Sequence, residues 1–177
     1  MGARRNTAFA LTALLSFVLA GVSAKAEAQA AGSPEIDYVG FMQAGEDVMA
    51  LRATRLVSLV EFNEMASEAD TIILDARSAE AFALGHIDGA ININFADFTD
   101  EKLADLIAHR GTRILIYCNN NFADDIAPVM LKRAPLALNI PTFINLHGYG
   151  YTNVYELGEL VSTNDPDVNW VSAPQMP

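Results

Sequence analysis

The runs Thr71-Ile-Ile-Leu74 and Ile114-Leu-Ile-Tyr117 carry no charge and do not alternate with polar residues. A strand with one wet face alternates at period two, so runs like these belong to strands buried on both faces. Helix signals stand around them. Ser58 precedes a segment with Leu59, Phe62 and Met65 on one face, and Ser78 precedes one holding Phe82 and Leu84, closed by Gly85. Thr99 precedes a third, with Leu103, Leu106 and Ile107 inward, and Gly111 stops it. Leu56-Val57, Ala90 to Ile93 and Thr142 to Leu146 read as further strands, His147 to Tyr151 as a loop, and Asn153 to Val161 as a last helix. Residues from Ile36 to about Arg52 read as an N-terminal helix lying against the main domain, through Phe41, Val48 and Leu51. Strands alternating with helices predict an α/β fold with a central parallel sheet of about five strands flanked by helices.

The 177 residues suffice for one domain and a processed leader. Arg4 and Arg5, an apolar stretch from Thr7 to Val22, and alternating small residues from Ala24 to Ala30 predict a signal peptide over residues 1–28. The alternative is an uncleaved anchor, for which the apolar stretch is slightly short. Cleavage implies export, to the periplasm in a Gram-negative bacterium and otherwise to the outside, with no stable membrane insertion. Residues 29–54 then form a linker and helical extension, 55–161 the main domain, and 162–177 an irregular proline-bearing tail. A net charge of −11 excludes the basic footprint that nucleic acid requires.

The chain has one cysteine, Cys118, which excludes an internal disulfide and an all-cysteine zinc site. It stands where the Ile114–Tyr117 strand ends. Asn119, Asn120, Asn121, Phe122 and Ala123 follow, and then Asp124 or Asp125 is expected to cap a helix running toward Arg133, with Pro128 in its first turn. A strand, a tight loop and a helix start aim unpaired backbone N–H groups at one spot, where they stabilise a thiolate or a sulfur-borne negative charge. A buried, inert cysteine is the bland reading. The placement at a strand's carboxyl end, where α/β sheets bind ligands, favours a working one. The loop amides lower the thiol pKa, while Asp124 and Asp125 raise it if they face the sulfur. His147 is the one histidine that topology brings near for a cysteine–histidine pair. The histidines at 86, 109 and 147 are too scattered for a metal site, and no cofactor is expected.

Several of these residues carry a resemblance. Leu74-Asp-Ala-Arg-Ser78, then Phe82, then Gly85-His-Ile-Asp-Gly-Ala90-Ile-Asn92 resembles the first signature of the rhodanese-like domain. The strand ending in Tyr117-Cys118 is similar to that family's active-site strand, and Leu146-His-Gly148 to its closing Leu-x-Gly-Gly motif. The resemblance implies a rhodanese fold in which Cys118 takes up a sulfane sulfur as a persulfide and passes it to a thiol or another acceptor. It implies that the N–H groups of Asn119 to Ala123 cradle the sulfur, and that Asp75, Arg77 and His86 hold the structure together.

The chain departs from the family pattern at the loop. Where active members often carry arginine or lysine, this chain has Asn-Asn-Asn-Phe-Ala and then Asp124-Asp125. Asn121 takes the place of the usual loop glycine, Tyr149 that of the second closing glycine, and Tyr155 that of the last helix's tryptophan. Thiosulfate is therefore a poor fit as donor, and Asp124 six residues after Cys118 excludes the Cys-x5-Arg phosphatase pattern. The leading expectation is an exported sulfurtransferase or persulfide carrier acting on a small sulfur compound or a thiol-bearing protein. A binding module that has lost turnover and a redox-sensing thiol are the alternatives.

Overall fold

The computed structural model describes residues 34–172. The expected leader, residues 1–28, lies outside the described residues. Helix α1 (Tyr38–Arg52) starts at Asp37, whose carboxylate accepts the Gly40 N–H. Strand β1 (Leu56–Val57) leads into α2 (Leu59–Ala66), where Ser58 and Glu61 form a reciprocal capping box. Then come β2 (Thr71–Asp75), α3 (Ala79–Leu84), β3 (Gly85–Ile87) and β4 (Ala90–Asn92). Helix α4 (Asp100–Leu106) is capped by Thr99, and β5 is Arg113–Tyr117. Helix α5 (Asn139–Gly148), β6 (Val154–Leu157) and β7 (Trp170–Ser172) complete the described chain.

Five strands form one parallel sheet in the order β1-β6-β5-β2-β4. Side chains alternate across it. Leu74, Ile114, Ile116 and Val154 enter one core with Val48 of α1, Leu103 of α4, and Phe143 and Leu146 of α5. Ile73, Leu115, Tyr117 and Leu157 enter the other with Leu59 and Phe62 of α2. The α/β sheet with helices on both faces is the expected architecture.

The carboxyl-terminal third departs from expectation. Thr142 to Leu146 is helix, not strand, and His147 and Gly148 finish that helix instead of forming a loop. Asn153 to Val161 is not a helix, because Val154 to Leu157 supplies the fifth strand between β1 and β5. The expected helix from Asp124 toward Arg133 does not form. Residues 122–133 run irregularly over the carboxyl end of the sheet, with a cis Ala127–Pro128 bond and Asp125 in the left-handed region at φ 46°. Within the expected irregular tail, Trp170–Ser172 is a strand that pairs antiparallel with β3. Leu106 is 45% exposed rather than inward, because α4 ends there and Ile107 takes the buried position.

Candidate active site

Cys118 extends the line of β5 with an extended backbone (φ −146°, ψ −179°) and is 1% exposed. Alternation after Ile116 turns its side chain toward the face covered by α1, α4 and α5. Asn119–Asn121 then forms a single 3-10 turn. Asn121 donates its N–H to the Cys118 carbonyl, Phe122 to the Asn119 carbonyl, and Ala123 to the Val161 carbonyl. Those three are spent. Of the five expected cradle residues, Asn120 has a backbone that lowers the thiol pKa, and the backbones of Asn139 and Leu138 act in the same direction.

Leu138 and Asn139 are the start of α5. No side chain caps this helix. Of its first N–H groups, Ile140 donates to the Ala137 carbonyl and Thr142 to the Leu138 carbonyl, while Pro141 has none to give. The backbones of Leu138, the N-cap, and Asn139, the first helical residue, favour the Cys118 anion, as the start of a helix does. Burial pushes the thiol above its ordinary value. The N–H groups of Asn139 and Asn120 pull it back, the Glu156 carboxylate pushes it up again, and Leu138 opposes that, with burial prevailing. Asp124 and Asp125 are engaged elsewhere. Asp124 accepts from Thr163 N–H at 2.8 Å and Ser162 Oγ at 3.0 Å, and Asp125 accepts from Leu131 N–H at 2.8 Å.

The asparagines tie the loop down. Asn121 is buried and accepts the Cys118 N–H at 2.9 Å and the Asn139 amide at 3.2 Å through one oxygen. Its own amide donates to the Leu157 carbonyl at 2.8 Å and the Glu159 carbonyl at 3.2 Å. One side chain thus locks β5, β6 and α5 around the sulfur. Its backbone is right-handed, so it does not replace a left-handed glycine. Asn119 donates to the Met130 carbonyl at 3.0 Å, and Asn120 exchanges two bonds with the Lys132 backbone at 2.7 and 3.2 Å. Lys132-Arg133, two exposed cations, are thereby brought back to the Cys118 loop from twelve or more residues away. Phe122 faces the other way. It is fully buried in the α2-side core between Tyr117 and Trp170, and is a packing residue.

The family model of the rhodanese-like domain matches residues 58–158, more than half of the 177. The chain belongs to the rhodanese-like family. It resembles a Bacillus halodurans protein solved by a structural genomics consortium at 19% identity and a TM-score of 0.45, covering 66% of this chain and 74% of that one. It also resembles a thiosulfate sulfurtransferase from Pseudomonas aeruginosa at 22% identity and a TM-score of 0.43, covering 70% of this chain and 21% of that one. No curated protein sequence matches the chain at a significant level.

The polar signature residues Asp75 and Arg77 lie on the face of the sheet away from the sulfur, with Tyr117. Asp75 is fully buried and accepts from Arg77 Nη2 at 2.5 Å, from Arg77 Nε at 3.0 Å, and from the Tyr117 hydroxyl at 2.6 Å. Burial works against the Arg77 charge, but the Asp75 carboxylate outweighs it and raises the Arg77 pKa. Burial, and then the Asp75 charge, push the Tyr117 phenol strongly up. Arg77 also donates to the Gly85 carbonyl at 2.7 Å, and His86 bonds the Phe82 carbonyl at 2.9 Å while its ring stacks on Phe82. His147 ends α5, more than two turns from the end that meets Cys118. Tyr149 and Tyr151 pack at that same far end, and Tyr155 stacks under Arg55.

Two residues that act on the sulfur, Leu138 and Asn139, were not among the expected site residues. Leu138 and Asn139 were obscured by the helix expected earlier in the chain, although Pro141 was a signal for a first helical turn. Thr142 is 1% exposed, and its hydroxyl has no partner among the described residues.

Proposed function

We propose that Cys118 carries a sulfane sulfur as a persulfide, and that the protein works as a sulfurtransferase or persulfide carrier after export. The observation that carries this reading is the placement of the chain's one sulfhydryl just past the carboxyl end of β5, with the backbones of Asn120 and of the uncapped start of α5 favouring its anion. The Cys118 thiolate attacks the outer sulfur of a donor persulfide. The donor's S–S bond breaks, its thiolate leaves and takes up the proton that Cys118 released, and a new S–S bond is made at Cys118. An acceptor thiolate then attacks the outer sulfur, the Cys118–sulfur bond breaks, and the Cys118 thiolate is restored. A persulfide is more acidic than a thiol, so a site that disfavours the thiolate by burial still suits a persulfide anion, which the backbones of Asn139, Asn120 and Leu138 favour.

Donor and acceptor are then a small sulfur compound or a thiol-bearing protein. The loop holds no cation of its own, and Lys132 and Arg133 approach only through the Asn120 anchor, which favours a neutral or protein-borne donor over thiosulfate. The 1% exposure of Cys118 favours one other reading, a binding module without turnover. Intact mass separates the two. After incubation with glutathione persulfide, mercaptopyruvate or thiosulfate, the wild type is expected to gain one sulfur that a thiol or cyanide removes, and Cys118→Ser to gain none. No adduct from any donor on a reduced cysteine would end the sulfur-transfer reading.

A further inference from the structure

Helix α1 precedes the residues that the family model matches, yet its last residue reaches the sheet beneath the sulfur. Arg52 donates from Nε to Glu156 Oε2 at 2.6 Å and from Nη2 to Glu156 Oε1 at 2.7 Å, a bidentate fork. Glu156 is 6% exposed. It sits on β6 opposite Ile116, and Cys118 lies two residues further along β5. The alternation that sends Val154 and Ile116 into the α1 and α5 core sends Glu156 and Cys118 to that same face. A buried carboxylate therefore shares a low-dielectric layer with the nucleophile, one strand away.

The other charged groups around Cys118 are turned elsewhere. Asp124 and Asp125 cap neighbouring loop segments, and Asp75 and Arg77 pair on the opposite face. Glu159 accepts the Leu59 N–H at the start of α2. The first turn of α5 has no acidic residue, and His147 is at its far end. Lys132 and Arg133 are exposed on the covering loop. The charged residues of α1 and α4 other than Arg52 (Glu46, Asp47, Asp100, Glu101, Lys102 and Asp105) are exposed, so among the described residues Glu156 is the buried charge on the nucleophile's own face.

We propose that α1 is a working part of the site, with Arg52 a positioning residue that neutralises Glu156 and so keeps Cys118 able to ionise. An unpaired buried carboxylate there would hold the sulfur protonated, and would equally repel a persulfide anion. The inference rests on Cys118 being the working thiol, but its test reads ionisation and not sulfur transfer.

The experiment is a titration of thiolate absorbance on the full chain, with Cys118→Ser subtracted, supported by the pH profile of iodoacetamide alkylation. Glu156→Gln is expected to lower the Cys118 midpoint, and Arg52→Met to raise it, each by about half a pH unit or more. Half a unit is about a threefold change in thiolate fraction below the midpoint. Arg52→Lys should stay near the wild type, and Arg52→Met with Glu156→Gln should return close to it. Where Arg52→Met alone fails to fold, Glu156→Gln and the double variant carry the test. An unchanged midpoint in Glu156→Gln, or a double variant displaced as far as a single one, would overturn the proposal. Normal midpoint shifts without any persulfide by mass would leave it standing and remove the sulfur-transfer reading alone.

Discussion

Cys118 couples the fold to pH through a single sulfur atom. Burial raises its folded pKa above the ordinary thiol value near 9, despite the N–H groups of Asn139, Asn120 and Leu138. A raised folded pKa means that the native state holds its proton more tightly than the unfolded chain does. The associated stability is complete below the ordinary thiol value and is lost as pH rises toward and through the folded one. Between about pH 8 and about pH 10, the urea midpoint of the wild type should therefore fall more than that of Cys118→Ser. Equal slopes would show that the thiol ionises as freely in the fold as outside it. Tyr117, also pushed up, acts in the same direction at still higher pH.

Among the elements, β3 and its neighbours explain the glycines of the rhodanese signature. A Cβ on Gly85 would come within 2.7 Å of the Trp170 ring, whose strand β7 pairs with β3. Gly89 turns the chain at φ +76°, a conformation that side chains resist. Gly85→Ala is expected to destabilise the protein by about 1–3 kcal/mol, measured by urea unfolding, because the indole has to move. A neutral result would mean that Trp170 is packed loosely. The same elements show what could be read in advance. Ser58, Ser78 and Thr99 mark their helices because caps act locally. Thr142 to Leu146 misled because Phe143, Ile144 and Leu146, in a helix packed between the sheet and α1, give a short apolar run that resembles a buried strand. Val154 to Leu157 misled for the opposite reason. Glu156 interrupts an inward-facing row, and only its partner Arg52, about a hundred residues earlier, makes that burial tolerable. The strand count stayed at five while the fifth strand was a different segment. Cys118 was legible as a strand end, but the donors at Leu138 and Asn139 were not, since a long connection brings them there.

For the molecule as a whole, the family-matched core is incomplete by itself. Residues 58–158 leave out α1, which packs Val48 and Leu51 on the Cys118 side, and β7, which packs Trp170 against Phe122 and Arg77 on the other. Removing residues 162–177 should cost about 3 kcal/mol or more, because it strips an aromatic ring from the α2-side core. Equilibrium unfolding of the truncated chain checks this, and unchanged stability would make the tail a mere appendage.

The sealed sulfur has one more consequence. With a single cysteine at 1% exposure, every modification event at Cys118 has to wait for the fold around it to open locally. The molecule therefore carries its own gauge of local fluctuation. When reclosing outpaces the reagent, the labelling rate divided by that of an unfolded chain is the equilibrium constant for opening. Its dependence on urea measures how much surface the opening exposes, and so separates the lifting of one loop from the parting of the whole sheet.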